Sequence, residues 1–245
     1  MTLVRIRAAA RLSLLSLPLA CLLLGSGCAS SATATAAGSE SFVNWAPAPM
    51  PEAARQSLQK LKEGNARFVQ GKAQHPATDA ATMEAAAEHG QHPFAMVLSC
   101  SDSRVPVERV FDRGVGEIFV VRVAGNIAGP TLVGSLEYGT LKLKAPLIVV
   151  LGHTECGAVQ AACGGARITP GIDAILAEIS PSVEFVKSHP HQGTLEEAVT
   201  EENVRHTLWE LTHDSPTLAA AVRDGTIGLQ GGIVDIRTGA IRWLE

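Results

Sequence analysis

Two apolar runs of this sequence stop abruptly at residues that bind metals or carry protons. FAMVLSCSDSRVP delivers Cys100, Asp102 and Arg104, and the later LIVVLGHTECGAV delivers His153 and Cys156. Two Cys and one His form one of the documented ligand sets of catalytic zinc, which leaves a fourth position open to water. No fourth Cys or His stands near either motif to close such a site. Asp102 and Arg104 are two residues apart, which in extended chain puts their side chains on one face. The plain reading of that spacing is a surface ion pair, worth little. Beside a metal it acquires a second role. The guanidinium would keep the carboxylate off the open coordination position while leaving one oxygen to accept a hydrogen bond from water.

Side chains so far apart in sequence need a scaffold to bring them together. Three short runs rich in β-branched residues, Phe94–Ser99, Ile118–Ala124 and Pro146–Gly152, have a helical pattern over Thr131–Leu143 before the last. Near-continuous apolar strands separated by helix predict an α/β fold, a mostly parallel β-sheet covered by helices. Sites in such sheets lie at the carboxyl ends of the strands, where both motifs fall. His153 would end its strand, and Cys156 would enter the first turn of a helix CGAVQAAC, whose dipole favours a thiolate. An amphipathic N-terminal helical arm is expected over Pro51–Lys72, then a polar, Ala-rich connector. Helical patterns GIDAILAEISPSVEFVKS and TLEEAVTEENVRHTLWELTH lead to two β-rich pieces around Arg237-Thr238-Gly239, expected to form a closing hairpin or edge pair.

The 245 residues are 46% hydrophobic with a net charge of -4, which suits one globular domain and excludes nucleic acid as a partner. Arg5, Arg7 and Arg11 precede the apolar run Leu12–Leu24, followed by small residues, the order of a secretory signal. Residues 1–27 are therefore read as a signal peptide, 28–49 as a flexible tether and 50–245 as the folded domain. Gly25-Ser26-Gly27-Cys28 is similar to a lipobox, which would make Cys28 a lipid-bearing first residue and the protein periplasmic and membrane-anchored. Cleavage after Ala32-Thr33-Ala34 or Ala34-Thr35-Ala36 is the alternative. Export would put the chain where thiols oxidise, so a Cys100–Cys156 disulfide stands beside the metal reading.

CSDSR followed by HTECGAV resembles the signature of the beta-class carbonic anhydrases. The likeness extends from Leu61-x-x-Gly64-Asn65-x-Arg67-Phe68 through VRVAGN to the terminal TGAIRWL. The resemblance implies one Zn2+ per chain on Cys100, His153 and Cys156, with Asp102 and Arg104 as the family's pair beside the bound water. It implies reversible hydration of CO2 to bicarbonate and a proton by attack of zinc-bound hydroxide, in a homodimer or higher even oligomer. Gln91 falls where plant-like, open-site members carry a bicarbonate-binding Gln. Substrate oxygen would be steered by Gln91 and by the backbone N–H of Gly157. Val234 stands where the family commonly has Tyr. Two thiolates blunt the acidification of bound water, so activity is expected under mildly alkaline conditions. Rival readings are a carbon disulfide or carbonyl sulfide hydrolase on the same fold, and a non-catalytic zinc-binding protein. A cysteine-nucleophile phosphatase does not fit, because its Cys and Arg stand farther apart than Cys100 and Arg104.

Expression of the full chain in a bacterial host separates the two processing routes. Lipidation predicts partition with membranes, abolished by Cys28→Ala. An unmodified N-terminus after Ala34 or Ala36, read by mass spectrometry, assigns ordinary cleavage instead.

Overall fold

The computed structural model describes residues 48–245; the expected leader, Cys28 and the tether through residue 47 lie outside the described residues. Its centre is a five-stranded sheet in the order β2-β1-β3-β4-β5. The strands are β1 (Ala95–Ser99), β2 (Ile118–Arg122), β3 (Leu147–His153), β4 (Gly228–Val234) and β5 (Ile241–Trp243). The first four are parallel and β5 returns antiparallel on β4. The closing β pieces are thus a hairpin whose first arm is a full member of the parallel sheet.

Every residue of β1 and β3 is buried, which explains why both read as unbroken apolar runs. Their side chains alternate between two cores. Met96, Leu98, Ile148 and Val150 face one layer, made by α4 (Pro130–Leu141), α7 (Leu195–His213) and α8 (Pro216–Arg223). Ala95, Val97, Leu147, Val149 and Leu151 face the other, made by α1 (Glu52–Val69) and α3 (Val107–Val110). A third apolar cluster joins Cys100 and Cys156 to Val159 of α5 (Gly157–Cys163), Ile179, Val183 and Val186 of α6 (Pro170–Ser188) and Val199 of α7. Cys100 and Cys156 are therefore seated on their own small core.

The connector after α1 holds a helix that hydrophobic periodicity does not reveal, α2 (Ala80–His89). None of its residues is buried, so there is no apolar stripe to read. It forms on Ala propensity and on Asp79, whose side chain accepts from the Thr82 N–H at 2.7 Å.

The Leu61–Phe68 motif proves to be a latch. Asn65, 7% exposed, donates to the carbonyls of Val110 at 3.1 Å and Gly239 at 2.8 Å, and its side-chain oxygen accepts from the Ile241 N–H at 3.1 Å. One amide thus joins α1 to α3 and to the final hairpin. Gly64 lets the helix come that close: a Cβ there would lie 1.8 Å from the Phe111 carbonyl oxygen. Arg67 completes the contact through the buried carboxylate of Asp112 at 2.6 Å. Removing Asn65 strands two buried carbonyls and one N–H, each costing about 1–3 kcal/mol when unpaired and shut off from water. Asn65→Ala should lower unfolding free energy by roughly 2–4 kcal/mol, measured by urea titration, while Gln59→Ala on the exposed face should change little.

Candidate metal centre

Because β1 and β3 are parallel neighbours, the residues that follow them leave the sheet at the same edge. Cys100 follows β1 directly, His153 is the last residue of β3, and Cys156 is the N-cap of α5. Among the described residues these form the one group of three or more His, Cys, Asp or Glu that could hold an ion, their ligand atoms all within 4.8 Å of one another. Exposure is 5% for Cys100, 3% for Cys156 and zero for His153. Both cysteines are free thiols, so the alternative disulfide is not formed.

The protonation pattern fits a cation. His153 Nδ1 lies 2.9 Å from the Thr154 carbonyl, which can only accept, so Nδ1 carries the proton. Nε2 is then a buried lone pair, and it has no hydrogen-bond partner. Burial pushes the His153 pKa down, but the neighbouring Cys100 sulfur and the Thr154 carbonyl outweigh it and the net shift is upward. A hydrogen bond from the Cys156 thiol pulls Cys100 down to about 4 against its burial, helped by His153 and the Gly125 N–H. The same pairing, together with burial, pushes the Cys156 thiol up. Two buried sulfurs so placed share one proton, and both become anions only against a cation. Cys100, His153 and Cys156 thus present the charge and lone pairs that zinc takes.

Asp102 and Arg104 stand at the rim. Arg104 donates to Asp102 Oδ1 at 2.9 Å and Oδ2 at 2.7 Å, a two-pronged pairing that the Arg104 backbone N–H reinforces. These bonds hold the Asp102 carboxyl far below the usual carboxylate range despite partial burial. Oδ2 lies 3.9 Å from His153 Nε2, so this oxygen borders the ligand cluster. Arg104 also donates to the Glu155 carbonyl at 3.1 Å, tying the Cys100 segment to the loop between His153 and Cys156.

Gly157 opens α5 beside Cys156, and a Cβ added to it would touch nothing within 4 Å. Gln91 is exposed in the loop that enters β1, at the amino end of the strand. The five residues of β1 span about 17 Å, so within one chain Gln91 is not brought to the cluster. Val234, at the end of β4, is buried, and its carbonyl accepts from the Thr154 N–H at 2.9 Å.

The sequence reading passed over Arg122, although it lies within the quoted VRVAGN. From the end of β2 it donates to the carbonyls of Cys100 at 2.9 Å and Asp102 at 2.6 Å, fixing the backbone between a ligand and its neighbour. An Arg ending an apolar run was the available signal.

A parallel sheet whose carboxyl edge carries two thiols and an imidazole within 4.8 Å of one another defines an α/β protein with a candidate metal site. Residues 95–241 match the pattern of the carbonic anhydrase family. A carbonic anhydrase 2 of Mycobacterium tuberculosis is 41% identical over 148 residues, 54% of this chain and 71% of that protein. A carbonic anhydrase of Mycolicibacterium smegmatis is 36% identical over 185 residues, 74% of this chain and 88% of the relative. The crystal structure of the β-carbonic anhydrase CafA of Aspergillus fumigatus superposes with a TM-score of 0.61 at 27% identity, covering 78% of this chain and 90% of that one. The chain belongs to the beta-class carbonic anhydrase family.

Purified protein should carry about one metal ion per chain, and Cys100→Ser or His153→Ala should lose most of it while keeping the fold. Elemental analysis beside far-ultraviolet circular dichroism checks both statements; full metal content in His153→Ala would remove His153 from the ligand set.

Proposed function

We propose that the chain catalyses reversible hydration of CO2 to bicarbonate and a proton, with Cys100, His153 and Cys156 holding one zinc. The observation that carries this is the buried, unpartnered Nε2 of His153 facing two sulfurs at the carboxyl edge of the sheet. The ion supplies, when bound, the Lewis acidity that makes water a nucleophile under mildly alkaline conditions. The protein's own groups do the rest. Asp102 is ionised across the working range, and its Oδ2 borders the ligands with capacity left to accept a hydrogen bond and orient the attacking water. Arg104 keeps that carboxylate turned to itself and away from the ligands. The apolar cluster around Cys100 and Cys156, with Ile127 and Val159, backs the site with a surface suited to uncharged CO2. The Gly157 N–H, at the start of α5, would meet a developing bicarbonate oxygen.

A homodimer or higher even oligomer completes this reading. Tyr138 and Leu141 of α4, each 50% exposed, lie along the β2 edge, where Phe119 meets the Tyr138 ring at 6.2 Å. A second copy would cover this surface, and a cleft built at such an interface gives Gln91 a route to substrate that a single chain does not. Export, with Cys28 as lipid anchor and the periplasm as location, rests on the order of residues in the leader.

One purified sample assayed for CO2 hydration and zinc content tests the activity. Zinc-free protein at full rate, or zinc-loaded protein active on carbon disulfide and inert to CO2, would overturn it. Arg104→Ala should free Asp102 to compete for the ion. Hydroxide wins that competition better as pH rises, so the rate deficit should be larger at neutral than at alkaline pH. Wild-type rates at every pH would reduce the pair to a surface salt bridge.

A further inference from the structure

Cys100 is held from behind as well as by its own strand. After β2 the chain makes a 3-10 turn, Ala124–Asn126, in which Gly125 has φ 75° and ψ 11° and Asn126 has φ 46°. Two consecutive left-handed residues aim the Gly125 N–H at the Cys100 sulfur, 3.3 Å away. A side chain at Gly125 is strained by its φ and would make Ile179 Cδ1 shift, since a Cβ would approach that atom to 2.7 Å. The turn does not hold this shape alone. Asn203 of α7 donates through Nδ2 to the Gly125 carbonyl at 2.8 Å, and Thr207, one helical turn on, donates through Oγ1 to the Asn126 carbonyl at 3.2 Å. Both are 1% exposed.

Burying an amide inside a helix face costs free energy, the more so because Asn203 Oδ1 has no hydrogen-bond partner. A Leu or Val would avoid the unpaired Oδ1 but would leave the Gly125 carbonyl without its donor. What the amide provides is the bond to Gly125, and through it the direction of the N–H that meets the sulfur. We propose that Asn203 is a positioning residue for the metal centre: by holding the Gly125 carbonyl it fixes the backbone torsions of Gly125, so that the N–H on the other side of that residue donates to the Cys100 thiolate, setting how strongly that sulfur binds the ion. The inference rests on the metal reading above and adds α7 to the parts that determine metal affinity. An N–H···S bond withdraws charge from sulfur and holds it in one orientation, and such supporting bonds commonly affect metal affinity by about 10–100-fold.

The test uses metal affinity and a spectrum rather than rate. Wild-type protein loaded with cobalt(II) should show a near-ultraviolet thiolate-to-cobalt charge-transfer band. In Asn203→Ala the sulfur regains charge, so the band should move to longer wavelength, and zinc affinity by chelator competition should fall roughly 10–100-fold. Circular dichroism and urea titration report whether the variant is folded. If it is not, Thr207→Val replaces it, with a smaller shift in the same direction that Thr207→Ser, which keeps the hydroxyl, should reverse. A folded Asn203→Ala, or Thr207→Val in its place, with wild-type band position and affinity overturns the inference alone. Wild-type protein that yields no thiolate band overturns the metal assignment, and this inference with it.

Discussion

Two sulfurs and an imidazole nitrogen lie within 4.8 Å of one another on residues no more than 5% exposed, and the nitrogen, His153 Nε2, has no hydrogen-bond partner. As anions the thiolates repel, and the surrounding Ile127, Val159 and Val183 offer them nothing. What the protein supplies is backbone N–H groups to both sulfurs, the Gly125 N–H to Cys100 at 3.3 Å among them. The remainder of the structure serves that arrangement. The parallel pairing of β1 with β3 sets the spacing of the ligands, Arg122 and Arg104 fix the loops that leave the strands, and α5, α6 and α7 close the apolar wall behind.

Local electrostatics and fold are coupled through the arginines. Arg104 binds a carboxylate and a carbonyl on two different segments, and Arg122 binds two carbonyls on one. A planar guanidinium with several fixed donors can do this where a lysine ammonium cannot hold the same geometry. The ion pair of Asp102 with Arg104 is partly exposed, so its contribution lies in orientation rather than in stability.

Much of this was legible in the sequence, because burial on both faces leaves β1 and β3 as uninterrupted apolar runs and the ligands fall where those runs stop. The sheet, the long helices α6 and α7 and the convergence of Cys100 with His153 follow from that pattern. Helix α2 did not show, since a helix with no buried residue has no stripe. α8 did not either, being eight residues long and built largely of Ala and other small residues. The roles of Asn65 and Asn203 were beyond reach for a different reason. Each acts through hydrogen bonds to backbone at least 45 residues away, and a single Asn in a helix pattern gives no sign of which carbonyl it will meet. Gln91 shows the converse: a motif position can be read from sequence although the chain alone does not carry it to the site.

The latch at Asn65 also has a meaning for the order in which the molecule is made. Its partners Gly239 and Ile241 lie 174 and 176 residues further along. A ribosome delivers α1 before these partners, so two of the three bonds of the Asn65 amide wait for at least 174 further residues. Contacts of such long sequence separation are slow to form and keep partly built chains from settling. The nascent protein therefore remains without this closure until the segment that carries Gly239 and Ile241 has been made.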